Sequence, residues 1–283
     1  VVLIYSGYAL LPGYLLTKVA GLNRNIFLLS YGLSVSLLIL TLAFALQITN
    51  NISQWFVPIH TVMVGTGLLL ARIYKIRINK TSSRRFRPLR LKQLANLGSV
   101  VLLVLFGVYH LIVGPYTEIP SDFWKHLARI GISLSRIVDG SLGETTHFGF
   151  IQDETSVVYL FHALVAHFVD TNPIGITSPV TFVTGGLFLL SIYWFSFDIL
   201  DRFDVNMQLR IGGALLATTL TFLTFGTASF SYIRYYAFFP TIVAFPMIYA
   251  CAAILQDYFE KPRSAPAQIL LIPIFVVTMW QIH

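Results

Sequence analysis

The chain has 283 residues, 56% of them hydrophobic and 11% charged, with a mean hydropathy of +0.74. A water-soluble domain carries roughly a quarter charged residues, so that class is excluded and an integral membrane protein is expected. The net charge of +7 would direct a soluble protein to nucleic acid; here the placement of the charges reports orientation in a bilayer, and no nucleic-acid partner is expected. The single cysteine, Cys251, rules out an internal disulfide and a cysteine-rich metal site. Val1 opens the chain without a methionine and His283 directly follows an apolar run, so the sequence reads as a piece of a longer polypeptide.

Eight stretches approach the roughly 20 apolar residues that a membrane-crossing helix needs: 1–21, 26–49, 55–74, 94–114, 179–198, 209–230, 237–256 and 267–282. The first contains Leu11-Pro12-Gly13, a predicted kink that is tolerable where a neighbouring helix satisfies the freed backbone. No basic segment precedes it, which argues against a signal peptide. Between Arg72 and Lys92 lie nine basic residues and no acid, so this loop is predicted to be cytoplasmic. Threading outward from it places Lys18, Arg24, Arg202, Arg210, Lys261 and Arg263 inside as well, fifteen of the nineteen basic residues in all. The long segment 115–178 then lies outside, with seven acids against three bases. The predicted fold is an all-α integral membrane protein of about eight transmembrane helices, with amphipathic juxtamembrane helices in one large outer loop.

The informative part of that loop runs from Pro115 to Ile137. Pro120-Ser121 is a helix-start signal with Ser121 a plausible N-cap. Phe123, Leu127, Ile130, Leu134 and Ile137 then form one apolar stripe at helical spacing. Asp122, Lys125, His126, Arg129, Ser133 and Arg136 fall on the opposite face, predicting a helix that lies in the interface with a wet side. The plain reading is that any such helix needs a polar side, with Asp122 and His126 an ordinary i, i+4 pair. The functional reading gives Lys125, Arg129 or Arg136 to a lipid phosphate, since a guanidinium can bond phosphate oxygens in pairs. Asp122, kept ionised by the positive end of the helix dipole, would then handle a proton.

Asp153-Glu154 precede an apolar helix, Val157 to Val169, that carries His162 and His167. Asp153 or Thr155 could simply cap it; the sharper alternative is a divalent cation on Asp153 and Glu154. The two histidines are five residues apart and share a face poorly, so zinc is not expected. Asn51-Ile52-Ser53 fits a glycosylation acceptor on an outer turn. His60 and His110 are the ionisable residues nearest membrane depth, and a bond to a neighbouring helix is their commoner use. There is no chain of acids and no arginine ladder, which argues against a proton pump, a voltage sensor or an ion-coupled transporter.

The order of a span, an outer loop opening with an acid on an amphipathic helix, a second surface helix and a further span resembles the membrane-embedded GT-C superfamily of glycosyltransferases, which includes protein O-mannosyltransferases and aminoarabinose transferases. Three pieces carry the resemblance: Pro120-Ser121-Asp122-Phe123-Trp124-Lys125-His126-Leu127-Ala128-Arg129, Tyr159-Leu160-Phe161-His162-Ala163-Leu164 onward through Asp170 to Pro173, and Phe230-Ser231-Tyr232-Ile233-Arg234-Tyr235-Tyr236-Ala237. The likeness covers about 94–260, so 94–283 is read as a GT-C-like membrane core and 1–93 as an N-terminal three-span segment ending in the basic loop. It implies transfer of a sugar from a polyprenyl-phosphate donor to an unknown acceptor on the outer face of the plasma membrane. It further implies Asp122 as the base, and Lys125, His126, Arg129, Arg234 and Tyr235 as substrate-binding residues. Segment 230–236 lacks the second acid that many such enzymes carry, so a metal would fall to Asp153 and Glu154. The competing expectation is a non-catalytic membrane subunit for lipid or polysaccharide transport or scaffolding, which explains the spans equally well.

Overall fold

The computed structural model describes residues 1–22, 24–49, 51–78, 89–113, 121–140, 146–147, 150–151, 157–203, 205–224, 240–260 and 268–282. At 76–78, 89–94, 113, 121–123, 146–147, 150–151 and 223–224 the description is of the backbone. The helices are α1 (Val2–Ala20), α2 (Ile26–Ile48), α3 (Ile52–Ile78), α4 (Leu89–Val113), α5 (Ser121–Asp139), α6 (Val157–Phe168), α7 (Pro173–Arg202), α8 (Met207–Thr224), α9 (Pro240–Glu260) and α10 (Leu271–Ile282), the last led by a short 3-10 turn. A two-residue antiparallel hairpin, Thr146–His147 against Phe150–Ile151, lies between α5 and α6 and is, among the described residues, the one departure from the expected all-helical fold.

Among the described residues six helices are long and apolar enough to cross a bilayer: Val2–Ala20, Ile26–Ile48, Ile52–Lys75, Ala95–Ile112, Pro173–Arg202 and Pro240–Glu260. In length and composition these helices are consistent with a multi-span helical membrane protein. Of the eight predicted spans, α8 has 18 residues and α10 only 12, and neither meets that standard. Helix α7 starts six residues before the predicted 179. Asn172 caps it by accepting the Gly175 N–H at 2.8 Å, and Pro173 occupies the first helical position, where its missing N–H costs nothing.

Pro12 lies inside α1 without ending it, and α1 packs closely on α2 around this point. The Gly13 amide donates to Ser34 Oγ at 2.7 Å, so a hydroxyl from α2 takes the bond. Gly13 also lets the Ser30 carbonyl approach so closely that a Cβ would stand 1.9 Å from its oxygen. Thr17 and Ser30 share a hydroxyl bond at 3.3 Å one turn further on. Small residues and interhelical hydroxyls are the usual glue where lipid removes the hydrophobic drive between helices. Gly21, at φ 78°, then closes α1 in the left-handed conformation that glycine adopts without strain.

Helices α7 and α9 run side by side in the same direction, with Phe188 on Phe245 (5.8 Å between ring centres) and Phe195 on Tyr249 (5.2 Å). Helix α8 carries the chain back between them. Its start lies by α4 near Gly98 and Tyr193, and its far end puts Phe222 against Tyr109 at 5.8 Å. The C-terminal ends of α7 and α9 consequently meet the α1–α2 turn at one end of the bundle, called here the Arg24 end. The opposite end holds the start of α1, the α2–α3 turn and α6.

Most of the core is one apolar cluster drawing on α1, α2, α3, α5, α6, α7, α9 and α10. Packing therefore continues across the predicted division at residue 93. Helix α6 is its centre, with Val157 to Ala166 all buried. Helices α3 and α4 are peripheral and turn Val62, Leu69, Leu105, Leu111 and Ile112 outward, an arrangement suited to lipid.

Candidate functional site

Helix α5 forms as the stripe predicts, and Leu127, Ile130 and Ile137 are buried against α6 and α7. Its polar side differs from expectation. Ser133, placed on the wet face by the wheel, is 2% exposed, and His126, Arg129 and Arg136 are half-buried. Lys125 and Trp124 are exposed. The cause is α6: it is deep enough in the bundle that α5 sinks onto it, so the boundary residues of the polar face are drawn into the contact.

That contact centres on Tyr159. The Tyr159 hydroxyl and His126 Nδ1 share a hydrogen bond, their rings 5.5 Å apart, and the Arg129 guanidinium bonds the same phenol. Burial pushes the Tyr159 hydroxyl well up and Arg129 works against it; the net shift is upward, so the phenol stays neutral. A guanidinium is donor-only, so the phenol oxygen accepts from Arg129 and its own proton is best given to His126 Nδ1. This arrangement satisfies all three groups and fixes His126 with its proton on Nε2. The bond to Tyr159 helps set the plane of the Arg129 guanidinium.

Aromatic contacts continue inward from Tyr159. His162, fully buried, lies 6.4 Å from the Tyr159 ring and 5.5 Å from Tyr5. Tyr8 meets His60 edge-on at 5.1 Å, and Phe56 stacks on it at 5.7 Å. His60 Nδ1 lies 2.9 Å from Thr41 Oγ1, whose proton goes to the Leu37 carbonyl at 2.7 Å, so His60 is the donor in its pair. His110 bonds Ser178 Oγ at 3.0 Å. Both intramembrane histidines thus bind hydroxyls of neighbouring helices.

Of the other predicted site residues, Asp122 lies in the first turn of α5 with only its backbone described. Arg234, Tyr235, Asp153 and Glu154 lie outside the described residues. Among the described residues no group of three or more His, Cys, Asp or Glu is placed to hold a metal ion.

The Arg24 end carries a charge network that the sequence reading did not anticipate. Arg24 reaches Asp257 at 2.8 Å and Glu260 at 3.1 Å, Arg202 bonds Asp198 (2.7 Å), Asp257 (3.0 Å) and Glu260, and Arg210 pairs with Asp201. Asn25 adds a bond to Asp257 at 3.2 Å. Burial opposes the charge on Arg24, but Asp257 and Glu260 outweigh it and raise the guanidinium's affinity for its proton. This network fastens α1, α2, α7 and α9 together and serves architecture. The acids at the ends of two spans, opposite basic residues on the same side, were its sequence signal. Compared with protein-family models, curated proteins and solved structures, the chain finds no match.

Proposed function

We propose that the chain is the membrane part of an inverting glycosyltransferase that moves a sugar from a polyprenyl-phosphate donor to an acceptor outside the cytoplasm. The observation that supports this reading is the fixing of His126 and Arg129 to Tyr159, which gives an interfacial helix a preorganised cationic edge beside exposed Lys125. Preorganised donors of this kind stabilise charge that builds on a leaving group. The donor is lipid-linked because nucleotide sugars are confined to the cytoplasm, and an interfacial helix is where a lipid headgroup is met. In the reaction, the acceptor hydroxyl oxygen attacks the anomeric carbon and the bond from that carbon to the phosphate oxygen breaks. Asp122 takes the hydroxyl proton, and polyprenyl phosphate leaves with its charge against Arg129 and Lys125, joined by Arg234 and Tyr235. His126 belongs to the same substrate-binding face. A divalent cation on Asp153 and Glu154 belongs to the same reading. The topology proposed with it has eight spans, α8 and α10 included, and puts the α6 end outside.

Two expected results bear on this. In a Cys251→Ala background, a cysteine at Val138 on α5 should react with an impermeant thiol reagent on intact cells, and one at Phe203 beyond α7 should not. Both positions are exposed, at 65% and 73%. The reverse pattern would invert the topology and remove α5 from the outer face. Arg129→Ala should weaken binding of a polyprenyl phosphate to the purified protein by about 1–3 kcal/mol, with Lys18→Ala at the Arg24 end as an unaffected control. Binding unchanged in Arg129→Ala would favour a non-catalytic subunit.

A further inference from the structure

The charges at the Arg24 end divide into two sectors. On α7 and α9 the acids Asp198, Asp201, Asp257 and Glu260 are each paired with Arg24, Arg202 or Arg210. The other sector belongs to α1 and α3 and presents exposed Lys18 and Arg72 with half-buried Lys75. Glu118 is the first acidic residue of the chain, so α1, α2, α3 and α4 bring no carboxylate of their own to these cations.

The two helices hold the cations close to one another. Leu16 of α1 stands 3.2 Å from the Cβ position of Gly67 on α3, so the helices lie side by side. At the end of α1 the Lys75 stem passes 3.8–4.0 Å from the Cβ position of Gly21. The Gly21 amide in turn donates to the Lys18 carbonyl at 3.2 Å. Lys75 therefore crosses the last turn of α1, within a turn of Lys18, and Arg72 lies one turn earlier on α3. The Lys18 ammonium sits 5.4 Å from the centre of the Tyr14 ring.

The surface leading to these cations decides the ligand class. On α1, Leu11, Tyr14, Leu15 and Lys18 follow at i, i+3, i+4 and i+7, all exposed, so an apolar stripe ends in an ammonium. On α3, exposed Leu69, Leu70 and Ile73 flank Arg72 in the same way. Cations also steady the negative end of α1, but a helix end does not call for such stripes. Apolar stripes ending in cations complement an amphiphile with hydrocarbon chains and an anionic head. Tyr14, apolar in body and polar at its tip, suits the level where the two parts join.

We infer that the α1–α3 side of the Arg24 end binds an anionic glycerophospholipid, its phosphate held by Lys18, Arg72 and Lys75. Arg72 offers a fork that bonds phosphate oxygens in pairs, and the lysines add mobile point charges. The site lies at the opposite end of the bundle from α6 and does not depend on the transferase reading.

The test titrates the full chain in detergent micelles with phosphatidylglycerol or phosphatidylcholine and counts bound lipid by native mass spectrometry. Wild type should bind phosphatidylglycerol at least about tenfold more tightly. Lys18→Gln, Arg72→Gln and Lys75→Gln should each weaken it about fivefold, the worth of one basic side chain at an anionic headgroup. Lys18→Arg and Lys75→Arg should keep it. Glycerol phosphate at matched concentration should not displace the lipid, because it lacks the chains. Equal affinity for the two lipids overturns the inference, as does displacement by glycerol phosphate. An equal loss in Arg84→Gln, in the basic loop, would show general charge attraction and overturn it too. Phosphatidylglycerol in excess fills this site, and Lys18→Ala then leaves polyprenyl-phosphate binding at α5 unchanged, so the two readings fail separately.

Discussion

Gly13→Ala should destabilise the protein by about 2–5 kcal/mol, an overpacking cost joined to the loss of one hydrogen bond. The added methyl would stand 1.9 Å from the Ser30 carbonyl oxygen, 2.7 Å from its carbon and 2.8 Å from the Ser34 nitrogen. All three are backbone atoms, so no side-chain rotation relieves the clash and α1 must move off α2. That movement also breaks the bond from the Gly13 amide to Ser34 and strains the Thr17–Ser30 pair. Gly7→Ala, on the same helix with nothing within 4 Å of its Cβ position, is the matched control. It should be neutral or stabilising by up to about 1 kcal/mol, since alanine is the better helix former. Thermal unfolding of the two variants in detergent measures the contrast. A Gly13→Ala protein as stable as Gly7→Ala would mean that the two helices do not approach this closely.

The close approach at Gly13 was half legible in the sequence. Pro12 announced a missing backbone donor, but the bond from the next amide, Gly13, to a hydroxyl 21 residues away on α2 required the packing. The long apolar stretches were legible because a bilayer imposes length and composition on each helix separately. Their count was less so: α8, at 18 residues, is not among the six described helices that are long and apolar enough to cross. The stripe from Phe123 to Ile137 predicted α5 well. The position of Ser133 was misjudged because a wheel drawn for one helix assumes one flat boundary, whereas α5 nests on α6. A signal for α6 was present: Val157 to Ala166 offers no polar face, and a helix that is apolar all round is a buried one. Tyr159 opens one of the sequence motifs, but its partner His126 lies 33 residues away in the chain, a separation that spacing rules do not bridge. The Arg24 network failed for a different reason. Topology rules weigh lysine and arginine and give acids little say, so Asp198, Asp257 and Glu260 went unused. Arg24 and Asp257 are moreover 233 residues apart in the chain.

The strongest effect on function is expected at Asp122. It occupies the first turn of α5, four residues before His126, where the positive end of the helix dipole favours an ionised carboxylate. A general base contributes about 10²–10⁴-fold in rate, and asparagine keeps the size of the side chain while removing the proton acceptor. Asp122→Asn should therefore bind the lipid donor like wild type and transfer its sugar about 10²–10⁴ times more slowly. Asp139→Asn, at the far end of the same helix, should retain turnover at saturating acceptor. The decisive measurement is the initial rate of sugar transfer from a polyprenyl-phosphate donor in proteoliposomes, wild type against Asp122→Asn. A wild-type rate that falls at least a hundredfold in the variant, with donor binding intact, is the expected result. No transfer by the wild-type protein, or equal rates for the two, would contradict the assignment of this membrane protein as a glycosyltransferase working through α5.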